Sequence, residues 1–271
     1  MLDLAPHNPH TLTIATPVIA AAGSLGDVVG VARWLGLAQS ASDHGLGAII
    51  SQTVTVAGKR GQPQFLPTPA GALYHHGGAS LGLKQVRERL VSRWATYRVP
   101  VLVSIAGADA PIVAETLADT AGIAGFELAL PALNAHEAAR QVAAVRRATL
   151  LPLIVRLPGE LPDPIAVAQA SLNAGADAIA LIGGLPACMP QADGGFVYGR
   201  LGGPAIFPFA LRLVAAVAAA VDAPVIGMGG VATPEHARAM LAAGARAVAL
   251  ASALVADLRR AKIIADSLRV R

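Results

Sequence analysis

The sequence contains little of what several classes of protein require. Its single cysteine, Cys188, excludes a disulfide framework and any zinc site built from several thiolates of this chain. Only 14% of the residues are charged and 4% are aromatic, and the net charge is +4. A nucleic-acid-binding surface needs more basic residues interleaved with aromatic ones, so we expect no nucleic acid partner.

Long apolar runs are also missing, although 54% of the residues are hydrophobic. The run over residues 213–221 ends at Asp222 and is far shorter than the roughly 18 residues that a membrane span needs. The N-terminal residues have neither the basic region nor the apolar region of a signal peptide. We therefore expect a cytoplasmic protein that has no membrane contact.

What the sequence does contain is one repeating unit, in which short apolar runs alternate with alanine-rich segments of helical periodicity. Runs that are apolar throughout are typical of strands covered on both faces. The predicted strands are residues 17–22, 48–55, 99–106, 125–130, 152–157, 178–182, 224–229 and 247–253. The predicted helices are residues 28–39, 81–97, 110–120, 135–149, 164–173, 205–221, 233–243 and 254–270.

Eight strand–helix units without a linker predict a single domain over residues 1–271, an α/β fold of the (βα)8 TIM barrel type. Thr233 before Pro234 predicts a helix start, and Gly175 and Gly244 predict two helix ends just before strands. The competing Rossmann fold needs a glycine fingerprint after the first strand, which residues 22–26 match poorly.

The longest predicted loops, residues 56–80 and 183–204, follow the second and sixth strands, at the end of the barrel that carries the chemistry of this fold. The seventh and eighth strands end in Gly229-Gly230 and Ala251-Ser252, and loops at these two places commonly bind phosphate. The alternative for the glycines is a tight turn with positive φ. A phosphate there suits a cofactor such as FMN.

Four segments resemble one family. They read GLGAIISQTVT at residues 45–55, TPAG at 68–71, GRLGGPAI at 199–206 and PVIGMGG at 224–230. In this order they resemble the class 1 dihydroorotate dehydrogenases along nearly the whole chain. The resemblance implies a barrel that binds FMN and oxidises dihydroorotate to orotate, a step of pyrimidine biosynthesis. It also implies a small-molecule substrate, and as partner either a second copy in a homodimer or an electron-transfer subunit.

The resemblance assigns a set of cofactor-binding positions. They are Ala22, Gly23, Gln52, Arg156, Gly202, Gly203, Gly229, Gly230, Ala251 and Ser252. Arg156 and Gln52 both stand where the family has lysine. Arg156 keeps the positive charge of lysine, but on a planar guanidinium group. Gln52 has no charge and cannot neutralise negative charge on a reduced flavin.

The proton chemistry of the family has no counterpart at its usual position. In the family, the catalytic base is a cysteine or serine in the loop after the fourth strand, and the matching residue in this sequence is Ala132. Loss of a general base costs roughly 10²–10⁴-fold in rate. Of the substrate-binding asparagines Asn134 is retained, whereas Tyr74 replaces another. These departures predict weak oxidation of dihydroorotate.

Other residues offer substitutes for the missing base. His75 and His76 in the first long loop, and Cys188 in the second, are groups that can move a proton. The alternatives are a solvated histidine pair and an incidental thiol. We expect no metal site from two adjacent histidines without a third ligand. Glu127 on the fourth strand is a hypothetical ion-pair partner of Arg156 inside the barrel.

Two functions stay open at this point. The chain is either an FMN oxidoreductase of this family with an altered substrate, or a catalytically inactive barrel that serves as a regulatory or partner subunit.

Overall fold

A computed structural model describes residues 1–39, 43–75, 77–191 and 194–269. The strands in chain order are β1 Leu2–Asp3, β2 Thr13–Ile14, β3 Val18–Ala20, β4 Ala48–Ile50, β5 Val54–Thr55, β6 Gln64–Thr68, β7 Gly71–His75, β8 Leu81–Gly82, β9 Val101–Ala106, β10 Gly125–Ala129, β11 Leu153–Leu157, β12 Ala178–Leu181, β13 Leu185–Pro190, β14 Phe196–Gly202, β15 Val225–Met228 and β16 Ala247–Leu250.

The α-helices of the described ranges are α1 Val29–Leu35, α2 Leu83–Gln85, α3 Val91–Trp94, α4 Ala110–Leu117, α5 Ala135–Ala148, α6 Pro164–Asn173, α7 Phe207–Ala218, α8 Pro234–Ala242, α9 Ser252–Ala256 and α10 Arg260–Arg269. A π-helical turn, Val86–Leu90, joins α2 to α3. Single 3₁₀ turns, Gly107–Asp109 and Pro204–Ile206, precede α4 and α7.

Eight parallel strands close into a barrel in the order β3-β4-β9-β10-β11-β12-β15-β16, and β16 pairs with β3. Helices lie between successive strands, so the predicted TIM barrel is confirmed. The β–α connections of such a barrel gather at its carboxyl end, which we call the mouth. No helix within the described residues is long and apolar enough to cross a bilayer.

Apolar side chains fill most of the barrel interior. On β12, β15, β16 and β3 every inward side chain is apolar, and we call these four strands the apolar arc. Their inward side chains are Ile19, Ala21, Ala178, Ala180, Ile226, Met228, Ala247 and Ala249. The N-terminal hairpin β1–β2 packs Leu4, Leu12 and Ile14 against the same cluster, and thereby closes the end opposite the mouth.

The two long loops contain strands that the sequence analysis did not predict. Strands β6, β7, β14 and β13 pair in this order into a four-stranded antiparallel sheet, which we call the roof sheet. Its register places Leu66, Leu73, Leu201 and Leu185 in one row across all four strands. Leu73 is buried and the other three leucines are half-buried, whereas Phe65, Tyr198 and Phe196 are exposed on the opposite face, so the two faces of the roof sheet differ in exposure.

Several predicted boundaries are wrong. Residues 48–55 form two short strands, β4 and β5, because the chain bends between them, and β5 pairs with β8. The predicted helix over residues 81–97 therefore begins only after Gly82. Residues 252 and 253 are helical, and the predicted terminal helix is two helices because the chain is extended at Asp257. Val270 lies outside the described residues.

The predicted helix start at Thr233 and the predicted helix ends at Gly175 and Gly244 are confirmed. The Thr233 side chain accepts a hydrogen bond from the amide of His236 at 3.3 Å, and Pro234 opens α8. Gly175 and Gly244 follow α6 and α8 with φ of +105° and +101°, values that favour glycine.

Candidate active site

The barrel gathers the predicted cofactor positions at its mouth. Ala22 and Gly23 follow β3, Gln52 follows β4, and Arg156 lies near the end of β11. Gly202 is the last residue of β14, in the long loop that follows β12, and Gly203 comes directly after it. Gly229 and Gly230 follow β15, and Ala251 and Ser252 follow β16. Residues up to 230 positions apart in sequence thus lie on one rim, as the parallel topology requires.

Two glycine pairs meet on the apolar side of the rim, and we call Gly202, Gly203, Gly229 and Gly230 the glycine cradle. A Cβ added to Gly230 would lie 2.6 Å from Gly203 O and 2.8 Å from Phe207 N. Gly203, Gly229 and Gly230 have φ of +94°, +107° and +77°. Backbone packing and positive φ therefore explain these three glycines without any ligand.

Gly202 is different. Its φ is not positive, and a Cβ added to it would meet no atom of the protein within 4 Å. Neither backbone strain nor packing within the described residues accounts for a glycine at this position. A backbone free of side chains beside an open space permits the close approach of a ligand.

On the neighbouring part of the rim, the loop after β3 touches the end of β4. A Cβ on Gly23 would lie 4.0 Å from the Cα of Gln52, and the amide of Gln52 donates a hydrogen bond to Gly26 O at 3.3 Å. The two predicted positions Gly23 and Gln52 are therefore in contact. Ser252 begins α9 directly after Ala251, beside the β3 end, because β16 pairs with β3.

A chain of polar groups crosses the interior on the other half of the barrel, and we call it the polar belt. Arg156 Nε donates to Glu127 Oε1 at 3.1 Å, and Ser104 Oγ donates to the same oxygen at 3.4 Å. Thr53 Oγ1 lies 3.2 Å from Ser104 Oγ. The belt joins the segment after β4, which contains Thr53, to the three neighbouring strands β9, β10 and β11, at the level just below the mouth. The hypothetical Glu127–Arg156 ion pair is confirmed.

Glu127 is fully buried, whereas the Arg156 side chain is 23% exposed. Glu127 Oε2 is buried and has no hydrogen-bond partner among the described residues. The two Nη groups of Arg156 likewise have no partner within those residues, and Nη1 lies 3.2 Å from the Cβ position of Gly183, at the β12 end of the mouth. Arg156 therefore presents free donors toward the mouth while its Nε is held from below.

The loop between β10 and α5 is where the family resemblance predicts the catalytic base. Ala132 is exposed between β10 and α5, and its methyl group cannot accept a proton. Asn134 is the N-cap of α5, and its Oδ1 accepts a hydrogen bond from the Glu137 amide at 2.9 Å. The side-chain oxygen of Asn134 is thus used by the helix, and its amide nitrogen is the part that remains for a ligand.

The roof sheet carries the predicted substitutes. His75 Nδ1 donates to Tyr198 O at 2.8 Å, which fixes its ring across β7 and β14. Cys188 is exposed on β13 and lies opposite Tyr198. The Tyr74 ring packs against the Phe65 ring in a tilted arrangement with centroids 4.6 Å apart, and burial raises the pKa of its hydroxyl. His76 lies outside the described residues.

The structure also brings together residues that the sequence analysis missed. Arg200 on β14 makes a bidentate ion pair with Glu160 after β11, with distances of 2.6 and 2.9 Å. Burial opposes ionisation of Glu160, but hydrogen bonds and charge from Arg200 outweigh it, so its pKa is lowered. No spacing in the sequence signals this pair, because 40 residues separate its members.

A second missed residue is His236, in the first turn of α8. Its ring stacks on Phe207 with centroids 4.0 Å apart, and its Nδ1 donates to Gly230 O at 3.2 Å. His236 therefore contacts the glycine cradle at Gly230 and stabilises the position of its backbone. Its position directly after the Thr233-Pro234 helix start is a signal that could have found it.

Comparison with known proteins shows the family of this chain. A family model described as dihydroorotate dehydrogenase matches residues 7–270. The chain belongs to the dihydroorotate dehydrogenase family. It is 35% identical to dihydroorotate dehydrogenase B (NAD(+)), catalytic subunit, of Desulforudis audaxviator, over 95% of this chain and 89% of that protein. The proteins of the same name in Geotalea uraniireducens and Shouchella clausii are 31% and 32% identical, over 95% and 91% of this chain.

Class 1 family membership is therefore confirmed. The residues at the mouth fit FMN, the cofactor typical of this family. Gly202 leaves space for a phosphate at the glycine cradle, and Arg156 offers free donors for the polar edge of a ring system. No group of three or more His, Cys, Asp or Glu side chains within the described ranges has the arrangement of a metal site.

Proposed function

We propose that this chain binds FMN at the barrel mouth and works as an FMN oxidoreductase on a small molecule. The observation that carries the proposal is Gly202, whose missing side chain neither packing nor φ explains.

The two halves of the mouth would divide the cofactor between them. The glycine cradle, with Ala22, Gly23, Ala251 and Ser252 beside it, would hold the phosphate end. Gln52 and Arg156 would hold the ring, and FMN would supply a ring that accepts a hydride from the substrate. Arg156 is the side chain in this group that carries a permanent positive charge.

We further propose that oxidation of dihydroorotate is slow in this chain. The relatives named dihydroorotate dehydrogenase B are similar along nearly the whole length, but Ala132 has no group that could remove a proton from a substrate. Tyr74 is a poor substitute, because its raised pKa keeps the hydroxyl protonated.

The assembly is part of the proposal. The curated relatives are named catalytic subunits, which implies that they work with another subunit. We propose that this chain also associates with an electron-transfer subunit, and that a homodimer is the alternative assembly.

FMN titration of the purified chain tests the function. Bound FMN is followed by quenching of its fluorescence, with wild type, Gly202→Ala and Gly30→Ala compared. We expect wild type to bind, Gly202→Ala to bind at least about tenfold more weakly, and both variants to keep wild-type stability. Gly30, on the exposed face of α1, is the control because a Cβ there would make only an ordinary contact, with Asp27 Oδ1 at 4.0 Å.

The catalytically inactive barrel is the second candidate, and Ala132 is the residue that favours it. A folded wild-type chain that binds no FMN at all would contradict the oxidoreductase proposal and support this second candidate. Equal affinity in wild type and Gly202→Ala would remove the cradle as the phosphate site.

A further inference from the structure

The polar belt contains a buried charged side chain, Glu127, that the fold does not need for its stability. Glu127 is fully buried in the barrel interior, and its neighbours along β10, Phe126 and Leu128, pack in the outer core. A buried carboxylate is costly, and an apolar residue of similar volume is often at least as stabilising as an ion pair. The stability of the fold therefore does not explain why a carboxylate is present at position 127.

The geometry of the pair gives a different reason. Glu127 Oε1 accepts from Arg156 Nε, the one donor of the guanidinium that points back along the side chain. The Nη groups, next to Gly183, remain without a partner among the described residues. The carboxylate thus holds the guanidinium from below and leaves its outer edge for a ligand in the mouth.

The same contact sets the charge that a ligand meets. Arg156 is a permanent cation, and Glu127 lies one hydrogen bond behind it on the side away from the mouth. In a poorly solvated interior, each of these charges acts on a bound molecule across several ångströms. The pair together presents a weak dipole, whereas Arg156 alone would present a full positive charge.

We propose that Glu127 is a positioning residue that holds Arg156 against the cofactor ring and attenuates its positive charge. This inference rests on the proposed binding of FMN. Gln52 adds no cation at the other side of the ring, so Arg156 and Glu127 together determine how well the site stabilises negative charge on the ring. A flavin bound beside this pair would therefore take up negative charge less readily than a flavin bound beside Arg156 alone.

Sulfite affinity measures this property without any substrate turnover. Sulfite adds to the oxidised ring of a flavin and leaves a negative charge on it, and the absorbance of the flavin reports the binding. Glu127→Gln removes the negative charge but keeps a side-chain oxygen for Arg156 Nε. We expect this variant to bind sulfite about tenfold more tightly than wild type.

Ser104→Ala is the matched control, because it removes a hydrogen bond to the same carboxylate oxygen without a change of charge. We expect its sulfite affinity to stay within about twofold of wild type. Arg156→Gln gives a second readout that does not depend on how Glu127→Gln folds. It should bind sulfite about tenfold more weakly than wild type.

The outcomes separate this inference from the proposed function. Weaker or unchanged sulfite binding in FMN-loaded Glu127→Gln would overturn the inference and leave the FMN site intact. If Glu127→Gln does not fold, unchanged sulfite binding in Arg156→Gln overturns the inference by itself. A wild-type chain that binds no FMN would instead contradict the proposed function.

Discussion

The two halves of the barrel reach the same mouth with opposite chemistry. On the apolar arc, the strands are filled with alanine, isoleucine and methionine, and their loops bring glycine backbone to the rim. On the polar belt, Ser104, Glu127 and Arg156 lie at the corresponding level and their loops carry side chains. One half of the mouth thus lets a ligand come close to the backbone, and the other half presents polar and charged side chains to it.

The difference determines how freely residues can change in each half of the barrel. The glycine cradle depends on backbone contacts, such as that between Gly203 and Gly230, that any larger residue would disrupt. The side chains on the other half have no such constraint, since Ala132 is exposed and Arg156 is held by one neighbour. Changes in chemistry can therefore accumulate there while the fold stays intact.

The largest expected effect falls on the polar belt. Arg156→Ala leaves the Glu127 carboxylate buried without its cation, which costs about 3–5 kcal/mol in the free energy of unfolding. Chemical denaturation measures this cost. The exposed pair Lys84–Glu88 is the control, because Lys84→Ala should cost less than about 0.5 kcal/mol. Equal costs for the two variants would show that the belt is not a buried ion pair.

The next effect falls on the apolar arc. Gly230→Ala forces a side chain into a positive-φ position whose nearest neighbours are backbone atoms that cannot rotate away. We expect a loss of about 2–3 kcal/mol in the free energy of unfolding. Gly202→Ala, in the same cradle, should be neutral within about 0.5 kcal/mol. A neutral Gly230→Ala would mean that the two glycine loops do not touch.

The smallest effect lies where the two halves meet, at the Arg200–Glu160 ion pair. The pKa of Glu160 is lowered in the folded chain, so the pair stabilises the fold above the ordinary value of 4.5 and loses this effect as pH falls through the lowered pKa. Glu160→Gln should therefore cost about 0.5 kcal/mol at neutral pH, since both side chains are about one-third exposed. The cost should vanish in acid. A difference that persists in acid would point to packing instead.

Much of the fold was predictable from the sequence because its signals are local. Apolar runs predicted all eight barrel strands, and Gly175 and Gly244 marked helix ends with positive φ. The roof sheet was not predictable in this way. Its strands contain Pro67, Pro186 and Pro190, which argue against strands. Its two hairpins are joined through β7 and β14, which lie more than 100 residues apart in the sequence.

The site was predictable in part for the same reason. Strand ends at a common rim indicated which residues would gather, and Glu127 and Arg156 form the ion pair considered from the sequence. Ser104 was missed because it lies within a run that otherwise reads as apolar core. The Arg200–Glu160 pair depends on the position of the roof sheet, which the sequence does not reveal. The cofactor and substrate roles of the site residues stay predictions.

The claim that this mouth seats FMN but lacks the family's base is tested most directly by returning the base. FMN-loaded wild type and Ala132→Cys are mixed with dihydroorotate without oxygen, and loss of the visible flavin absorbance is followed. The account predicts slow reduction in wild type and reduction about 10²–10⁴-fold faster in Ala132→Cys. Fast reduction in wild type, with no gain from the cysteine, would contradict it.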